Sequence, residues 1–349
     1  MSEYKTIKGF TVQSLGADPA GSQYPAGSWT TGGSINEARN AFDCCLIGTQ
    51  TATLAAGGRD TTTSPEDTTA TETYNGSTWS EVSELNVGRS NGYGSGSSTV
   101  AISGFGFTQP TNSTNTETWN GSTWTEVNNG STARRHGGSF GSTTTAIAAC
   151  GFVPGPATTT AVESWNGTNW TEVTEMNTAT QQMGSLGTSN TDGMCCGGAD
   201  PGGGFVSKVE QWNGTGWTEI TNINTARNTS AGNGTTSLGI LCGGTDSVPV
   251  NLAVVEFWDG TSWTELADIP TATSSMGGGG TAVSGVVFGG SAGVPKDTHV
   301  ATCYEWDAPP TFQPTNQGQT YYNSSPTNAF KITTAGLPAA TWSSGGALN

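Results

Sequence analysis

The sequence EFWDGTSWTE, residues 256–265, is the stretch that decides the fold of this chain. Close copies occupy residues 72–81, 117–126, 163–172 and 210–219, which makes five complete copies. The first aromatic of each copy stands at residue 74, 119, 165, 212 or 258, so successive copies are 45, 46, 47 and 46 residues apart. A regular period of this length indicates that each copy is one unit of a repeat architecture.

Each copy predicts a β-hairpin. Two short strand-like runs flank an Asn-Gly or Asp-Gly pair, and this dipeptide suits the two positive φ angles of a type I′ turn. The flanking aromatics, such as Tyr74 and Trp79, would then face each other across the hairpin. Four of the turns also match the glycosylation sequon, at Asn75, Asn120, Asn166 and Asn213. Turn chemistry explains them better, because the sequence does not begin with the pattern of a signal peptide.

Two further strand-like runs complete each repeat. The second of them closes on glycine in six places, at residues 54–57, 101–104, 148–151, 194–197, 240–243 and 286–289. Four-stranded units at this period are typical of propeller blades. The recurrent glycines after the second strand and the spaced aromatics on the outer strands resemble the kelch-repeat family over residues 28–307. The repeats and this resemblance together predict an all-β, six-bladed kelch-like β-propeller.

The sixth repeat is incomplete. Glu305-Trp306-Asp307 is followed by Ala308-Pro309-Pro310 instead of a hairpin glycine and a second tryptophan. A half-copy around Trp29 supplies the missing strand, so we predict that Trp29 pairs beside Trp306 and closes the ring. A near copy around Trp342 could complete the same blade. We favour closure from the N-terminal side, because the ten residues from Trp29 to Arg39 match the spacing of every other blade.

The expected organisation follows from these repeats. Residues 1–26 form an extended N-terminal attachment segment, and residues 27–308 form the propeller, with 27–35 as the closing strand of the last blade. Residues 309–349 form a C-terminal tail with a surplus strand-like segment. Trp342 in that segment is the candidate assembly residue, since a free strand can add to the sheet of a neighbouring subunit.

Composition excludes several functions. The 27 acidic and 11 basic residues give a net charge of −16, which repels phosphate backbones, so we expect no nucleic-acid binding. No apolar run reaches 18 residues, so we expect no membrane insertion. The seven cysteines lack zinc-type spacing, which favours small buried thiols over ligands. We therefore expect neither a metal nor a cofactor.

Candidate binding residues recur where the innermost strands are expected to begin. Arg39, Arg89, Arg134 and Arg227 share this position and could ring one mouth of the channel, with Arg135 and His136 beside them, to hold an anionic sugar or carboxylate. The alternative is that each recurrent arginine bonds loop carbonyls or the nearby repeated Glu. The loops between the second and third strands vary most, which makes them further candidates for binding.

The flanking segments bear on function. YKTIKG (residues 4–9), GQTYYN (318–323) and NAFK (328–331) resemble framing segments around kelch-like repeats in virion proteins of marine tailed phages. The resemblance implies a non-enzymatic virion structural protein, a tail fibre, spike or capsid decoration, made in the host cytoplasm. Its partners would be other virion proteins or copies of itself, and a host-surface glycan or protein. The alternative is a lectin or glycan-active enzyme on the same scaffold.

Overall fold

The computed structural model describes residues 27–42, 48–155, 157–246, 250–293 and 298–308, and short strands nearer the termini. The chain divides into two units, Ser28–Asp307 and a smaller one made of Met1–Gly27 and Ala308–Asn349. All the regular secondary structure in the described residues is β-strand. No helix in this part of the chain is long and apolar enough to cross a membrane.

The unit Ser28–Asp307 contains six four-stranded antiparallel sheets, the blades of a β-propeller. The all-β, six-bladed fold predicted from the sequence is confirmed. In blades 1 to 5 the strands follow one another along the chain and pair with their neighbours. Their bounds are Gly48–Thr49, Ala52–Ala56, Thr71–Tyr74 and Trp79–Glu81 in blade 1; Tyr93–Gly96, Ala101–Gly104, Thr116–Trp119 and Trp124–Val127 in blade 2; Gly138–Gly141, Ala146–Ala149, Val162–Trp165 and Trp170–Val173 in blade 3; Gly184–Ser189, Asp192–Cys196, Val209–Trp212 and Trp217–Ile220 in blade 4; and Ala231–Gly234, Gly239–Cys242, Val255–Trp258 and Trp263–Glu265 in blade 5.

Blade 6 combines strands from both ends of the repeat region. Gly277–Gly280, Ser284–Phe288 and Cys303–Asp307 are joined by Ser28–Thr31, in a register that places Trp29 opposite Trp306. The two indole rings lie 5.2 Å apart. The near copy around Trp342, including that predicted assembly residue, lies outside the described residues.

The core runs from blade to blade around the ring. The aromatic pair of each of blades 1 to 5 packs on the second strand of the preceding blade, as Trp119 and Trp124 pack on Leu54 and Ala56. The same arrangement joins blade 1 to blade 6, where Trp79 packs against Phe288 with 4.6 Å between ring centres. Because burying a large apolar side chain contributes about 1.5–3 kcal/mol, the repeated aromatics stabilise these five blade interfaces.

The hairpins differ from the predicted type I′ turn. Tyr74 pairs with Trp79, which leaves the four residues from Asn75 to Thr78 as the loop. Gly76 has a φ of 88°, whereas Asn75 does not have a positive φ. The Asn75 side-chain oxygen instead accepts bonds from the amides of Ser77 and Thr78, both at 2.9 Å. The prediction was wrong because the asparagine orders this turn through its side chain rather than its backbone.

The smaller unit contains a mixed sheet. Gln13–Leu15 pairs in parallel with Thr320–Asn323, which pairs with Ala329–Ile332, and that strand pairs with Ala340–Thr341. Thr6–Ile7 and Phe10–Thr11 form a separate short ribbon. The sequence predicts an attachment segment at residues 1–26 and a tail at residues 309–349, and the structure pairs a strand from each in one sheet.

Candidate functional site: the linker face of the channel

The segments that connect successive blades lie on the same face as the loops between second and third strands, and we call this face the linker face. One residue from each connection occupies an equivalent place at the mouth of the central channel. Each has a left-handed φ between 52° and 61°. These six residues, named the mouth ring, are Ala41, Asn91, His136, Gln182, Thr229 and Ser275.

The mouth ring is closed by backbone hydrogen bonds. Each amide donates to the carbonyl of the equivalent residue in the preceding blade, for example Asn91 to Ala41 at 2.8 Å and Ser275 to Thr229 at 2.9 Å. The bond from the amide of Ala41 to the carbonyl of Ser275, at 3.1 Å, completes the circle. A left-handed φ at a non-glycine residue is costly and persists where surrounding bonds determine it. The ring therefore fixes six adjacent side chains in a constant frame.

Two outer circles of residues surround the mouth ring. The residue that precedes each mouth-ring residue forms a backbone bridge to the residue that follows the glycine at the end of the second strand. Arg135, which precedes His136, is bridged in this way to Phe152. The residues of the first circle are Asn40, Ser90, Arg135, Gln181, Asn228 and Ser274, and their partners are Arg59, Phe107, Phe152, Ala199, Thr245 and Ser291. The backbone frame repeats, but the side chains differ, since the two aromatic residues of these circles, Phe107 and Phe152, lie on blades 2 and 3 beside Arg135.

A cavity of about 100 Å³ lies inside the mouth ring. Its polar lining consists of amides and hydroxyls, among them Asn91, Gln182, Thr229 and Ser275, together with the imidazole of His136. Burial and the nearby Arg135 lower the pKa of His136 to about 3, so its imidazole is neutral near pH 7. Asn91 Nδ2 donates to Ser90 and Gln182 Oε1 accepts from Asn228 within the protein. The other amide atoms and the hydroxyls are the uncharged donors and acceptors that the cavity offers, and they suit the hydroxyl groups of a neutral or weakly charged ligand.

The four recurrent arginines do not line this mouth. Arg39, Arg89, Arg134 and Arg227 have no exposed surface. Each forms an ion pair with the repeated Glu on the third strand of its own blade, as Arg89 does with Glu117 at 2.6 Å. The predicted anion-binding ring is wrong for these four residues, because the buried carboxylates draw the guanidinium groups beneath the linkers. The structure agrees with the alternative, in which the recurrent arginines bond the repeated Glu and backbone carbonyls.

Blades 4 and 6 lack this arginine. In blade 6 Thr273 and Tyr304 replace the arginine and the glutamate, and the hydroxyl of Tyr304 lies 2.9 Å from that of Thr271. In blade 4 Thr180 stands in the arginine position, while the buried Glu210 remains. One oxygen of Glu210 accepts two bonds from Asn177 at 2.9 Å, and the other has no hydrogen-bond partner among the described residues.

Arg135 and His136 are the predicted site residues that the structure does place on the linker face. The guanidinium carbon of Arg135 lies 4.3 Å from the ring centre of Phe107 and 5.4 Å from that of Phe152. Both rings stand at the bases of two-stranded ribbons, Phe107–Thr108 with Thr111–Asn112 and Phe152–Val153 with Ala157–Thr158. Sequence reasoning missed the mouth ring itself. Its signal is the non-repeating residue two positions after each recurrent Arg or Thr.

The comparisons with known proteins bear on the fold. No protein-family model matches the sequence, and no curated protein matches it. Solved structures do resemble the chain. The structure of YjhT aligns with a TM-score of 0.65 over 86% of this chain and 99% of its own, at 9% sequence identity. At that identity the likeness shows the β-propeller fold alone.

Proposed function

We propose that this chain is a non-enzymatic binding protein of a phage particle, a tail fibre, spike or capsid-decorating subunit, whose linker face contacts a host surface. The observation that carries the binding role is the mouth ring. Six blades place different side chains, including Asn91, His136 and Gln182, on one closed frame of hydrogen bonds. A rigid frame with varied side chains favours binding, because little conformational entropy is lost when a ligand is held.

The setting on a particle rests on the resemblance of the flanking segments to virion proteins. Other virion proteins or further copies of this chain are the partners that this setting requires. The smaller unit, which contains the strands Gln13–Leu15 and Thr320–Asn323, is the candidate for attachment. The propeller would then be the part that faces outward.

A lectin is the second candidate, and the neutral lining of the cavity favours it. The amides of Asn91 and Gln182 and the hydroxyls of Thr229 and Ser275 match the hydrogen-bonding pattern of sugar hydroxyls. The two candidates share the linker face and a glycan as ligand. They differ in whether the chain works as part of a particle or alone.

Binding of the purified full chain to host cells tests the proposal. We expect Asn91→Ala combined with Gln182→Ala to weaken binding by roughly tenfold or more, since each lost polar contact contributes about 0.5–1.5 kcal/mol. Thr168→Ala, in an exposed hairpin on the opposite face, is the control and should bind as the unaltered chain does. Equal binding by the double variant and the control would contradict the proposal.

Mass analysis of the native particle tests the setting. The proposal predicts a fixed number of copies per particle and loss of incorporation when residues 311–349 are deleted. Normal incorporation of the truncated chain would contradict attachment through that segment. Turnover of a host glycan by the purified chain would contradict the non-enzymatic part.

A further inference from the structure

Arg135 differs from every other arginine in the chain. The sequence contains six arginines. Five of them form ion pairs with glutamates: Arg39 with Glu72, Arg59 with Glu66, Arg89 with Glu117, Arg134 with Glu163 and Arg227 with Glu256. Among the residues that the structure describes, no carboxylate lies within ion-pair distance of Arg135. It is therefore the arginine whose charge is open to a ligand.

Aromatic rings fix the side chain of Arg135. Its guanidinium lies over the rings of Phe107 and Phe152, an arrangement in which ring quadrupoles attract the cation. The backbones of Arg135 and Phe152 exchange two hydrogen bonds, of 3.1 and 2.7 Å, which hold that ring beside the guanidinium. A ring that stacks on a guanidinium contacts its face, so the N–H donors at the edge are not used by that contact. Its Nε is enclosed and has no acceptor among the described residues.

The surrounding charges do not neutralise Arg135. Asp67 lies near enough to raise the pKa of Arg135, although partial burial lowers it by more. The Asp67 carboxylate is already bonded, to the hydroxyl of Ser90 at 2.7 Å and to the amide of Gln109 at 3.0 Å. An incoming anion would thus meet a guanidinium that is oriented, partly desolvated and unpaired. Charge-assisted bonds in such a place are stronger than those between neutral groups.

The shape of the donor edge selects the ligand. A planar guanidinium fork matches a planar carboxylate bidentately. The net charge of −16 disfavours a doubly charged phosphate more than a singly charged carboxylate. His136, the next residue along the chain, belongs to the neutral mouth ring, whose amides and hydroxyls suit sugar hydroxyls. A carboxylate and several hydroxyls on one small unit describe a hexuronate.

We propose that Arg135, clamped by Phe107 and Phe152, recognises the carboxylate of a hexuronate residue in an acidic host glycan, while the mouth ring binds hydroxyls of the same or a neighbouring sugar. This inference rests on the proposed binding function and names the ligand class of that site. Arg135 is then the residue that discriminates acidic from neutral sugars.

Calorimetric titration of the full chain with trigalacturonate and with its methyl ester tests the inference. The ester keeps the hydroxyls and removes the charge, so the unaltered chain should bind the acid roughly tenfold or more tightly. Arg135→Gln should abolish this preference and leave the affinity for the ester within about twofold. Arg135→Lys keeps the charge but not the fork, so the preference should fall partway. Lys208→Gln, which removes one positive charge and breaks the ion pair with Glu219 on the same face, is the matched control and should keep the full preference.

The outcomes distinguish failure of the proposed ligand class from failure of the proposed binding function. Equal binding of acid and ester by the unaltered chain would overturn the inference. A preference that survives Arg135→Gln would do the same and would leave Arg135 a packing role. If the chain binds host cells but neither saccharide, the ligand class is wrong and the binding function stands. If it binds no host surface at all, the binding function itself falls.

Discussion

The buried ion pairs allow a matched test, because blade 4 repeats the site of blade 2 without its arginine. Glu117 and Glu210 occupy the same position, and both are buried. Glu117 accepts bonds at 2.8 Å from the amide and side chain of Asn86, and Glu210 accepts the same pair at 2.9 Å from Asn177. The other oxygen of Glu117 accepts bonds from Arg89 at 2.6 Å and from the amide of Val87 at 3.3 Å, whereas the other oxygen of Glu210 has no partner among the described residues.

We therefore compare Glu117→Gln with Glu210→Gln. The first leaves the Arg89 guanidinium buried without a carboxylate, and removing one partner of a buried pair costs about 3–5 kcal/mol. The second replaces an oxygen that has no partner and keeps an acceptor for both bonds from Asn177, so the free energy of unfolding should change by less than about 1 kcal/mol.

Urea unfolding and thermal melting measure the difference. At about 2–4 °C per kcal/mol for a domain of this size, a loss of about 3–5 kcal/mol means that Glu117→Gln should melt roughly 6–20 °C below the unaltered chain. Glu210→Gln should melt within about 4 °C of it. Equal losses of stability in the two variants would refute the reasoning that the arginine makes the carboxylate indispensable.

Three further predictions follow from other contacts. Gln50 of blade 1 donates to the carbonyl of Trp306 in blade 6 at 3.0 Å and accepts from Ser284 at 2.8 Å. Gln50→Ala should therefore lower the free energy of unfolding in urea by about 2 kcal/mol, and Thr168→Ala should leave it unchanged. Burial raises the pKa of the Cys242 thiol to about 12 from its ordinary 9, so thiols ionise first in the unfolded chain and stability should fall as pH rises from 9 to 12; a constant urea midpoint would contradict this. The pKa of His136 is lowered, so its NMR signal should not titrate between pH 8 and 5, and stability should fall as pH drops below about 6.5 because the unfolded imidazole gains a proton first.

The period of the sequence predicted most of the fold, because each repeat carries its own strands, glycines and aromatics. The strand around Trp29 was found because half of a repeated signature stood without its other half. The hairpin turn was misjudged since an Asn-Gly pair is compatible with more than one loop, and only the pairing of Tyr74 with Trp79 fixes the loop length.

The site was harder to predict, because it depends on where the side chains point, whereas the sequence shows only which residues recur. The sequence shows that Arg89 and Glu117 recur, but not that they face each other beneath a linker. Tyr304 was an available clue, since it replaces the repeated Glu in a blade that also lacks the arginine. The mouth ring leaves little signal, because its members share a backbone conformation rather than a residue type. Arg135 stood out in the sequence only as a neighbour of a recurrent arginine.

The central claim is that the linker face contacts the host surface. A photocross-linking amino acid placed on each face tests this claim directly. Val250 and Val100 suit this test because both are exposed apolar residues, at 53% and 47% of their full accessibility. Val250 lies in a loop of the linker face, and Val100 lies in a turn between first and second strands on the opposite face. With host cells, the account predicts cross-links to surface material from position 250 and none from position 100. Cross-links from position 100 alone would contradict it.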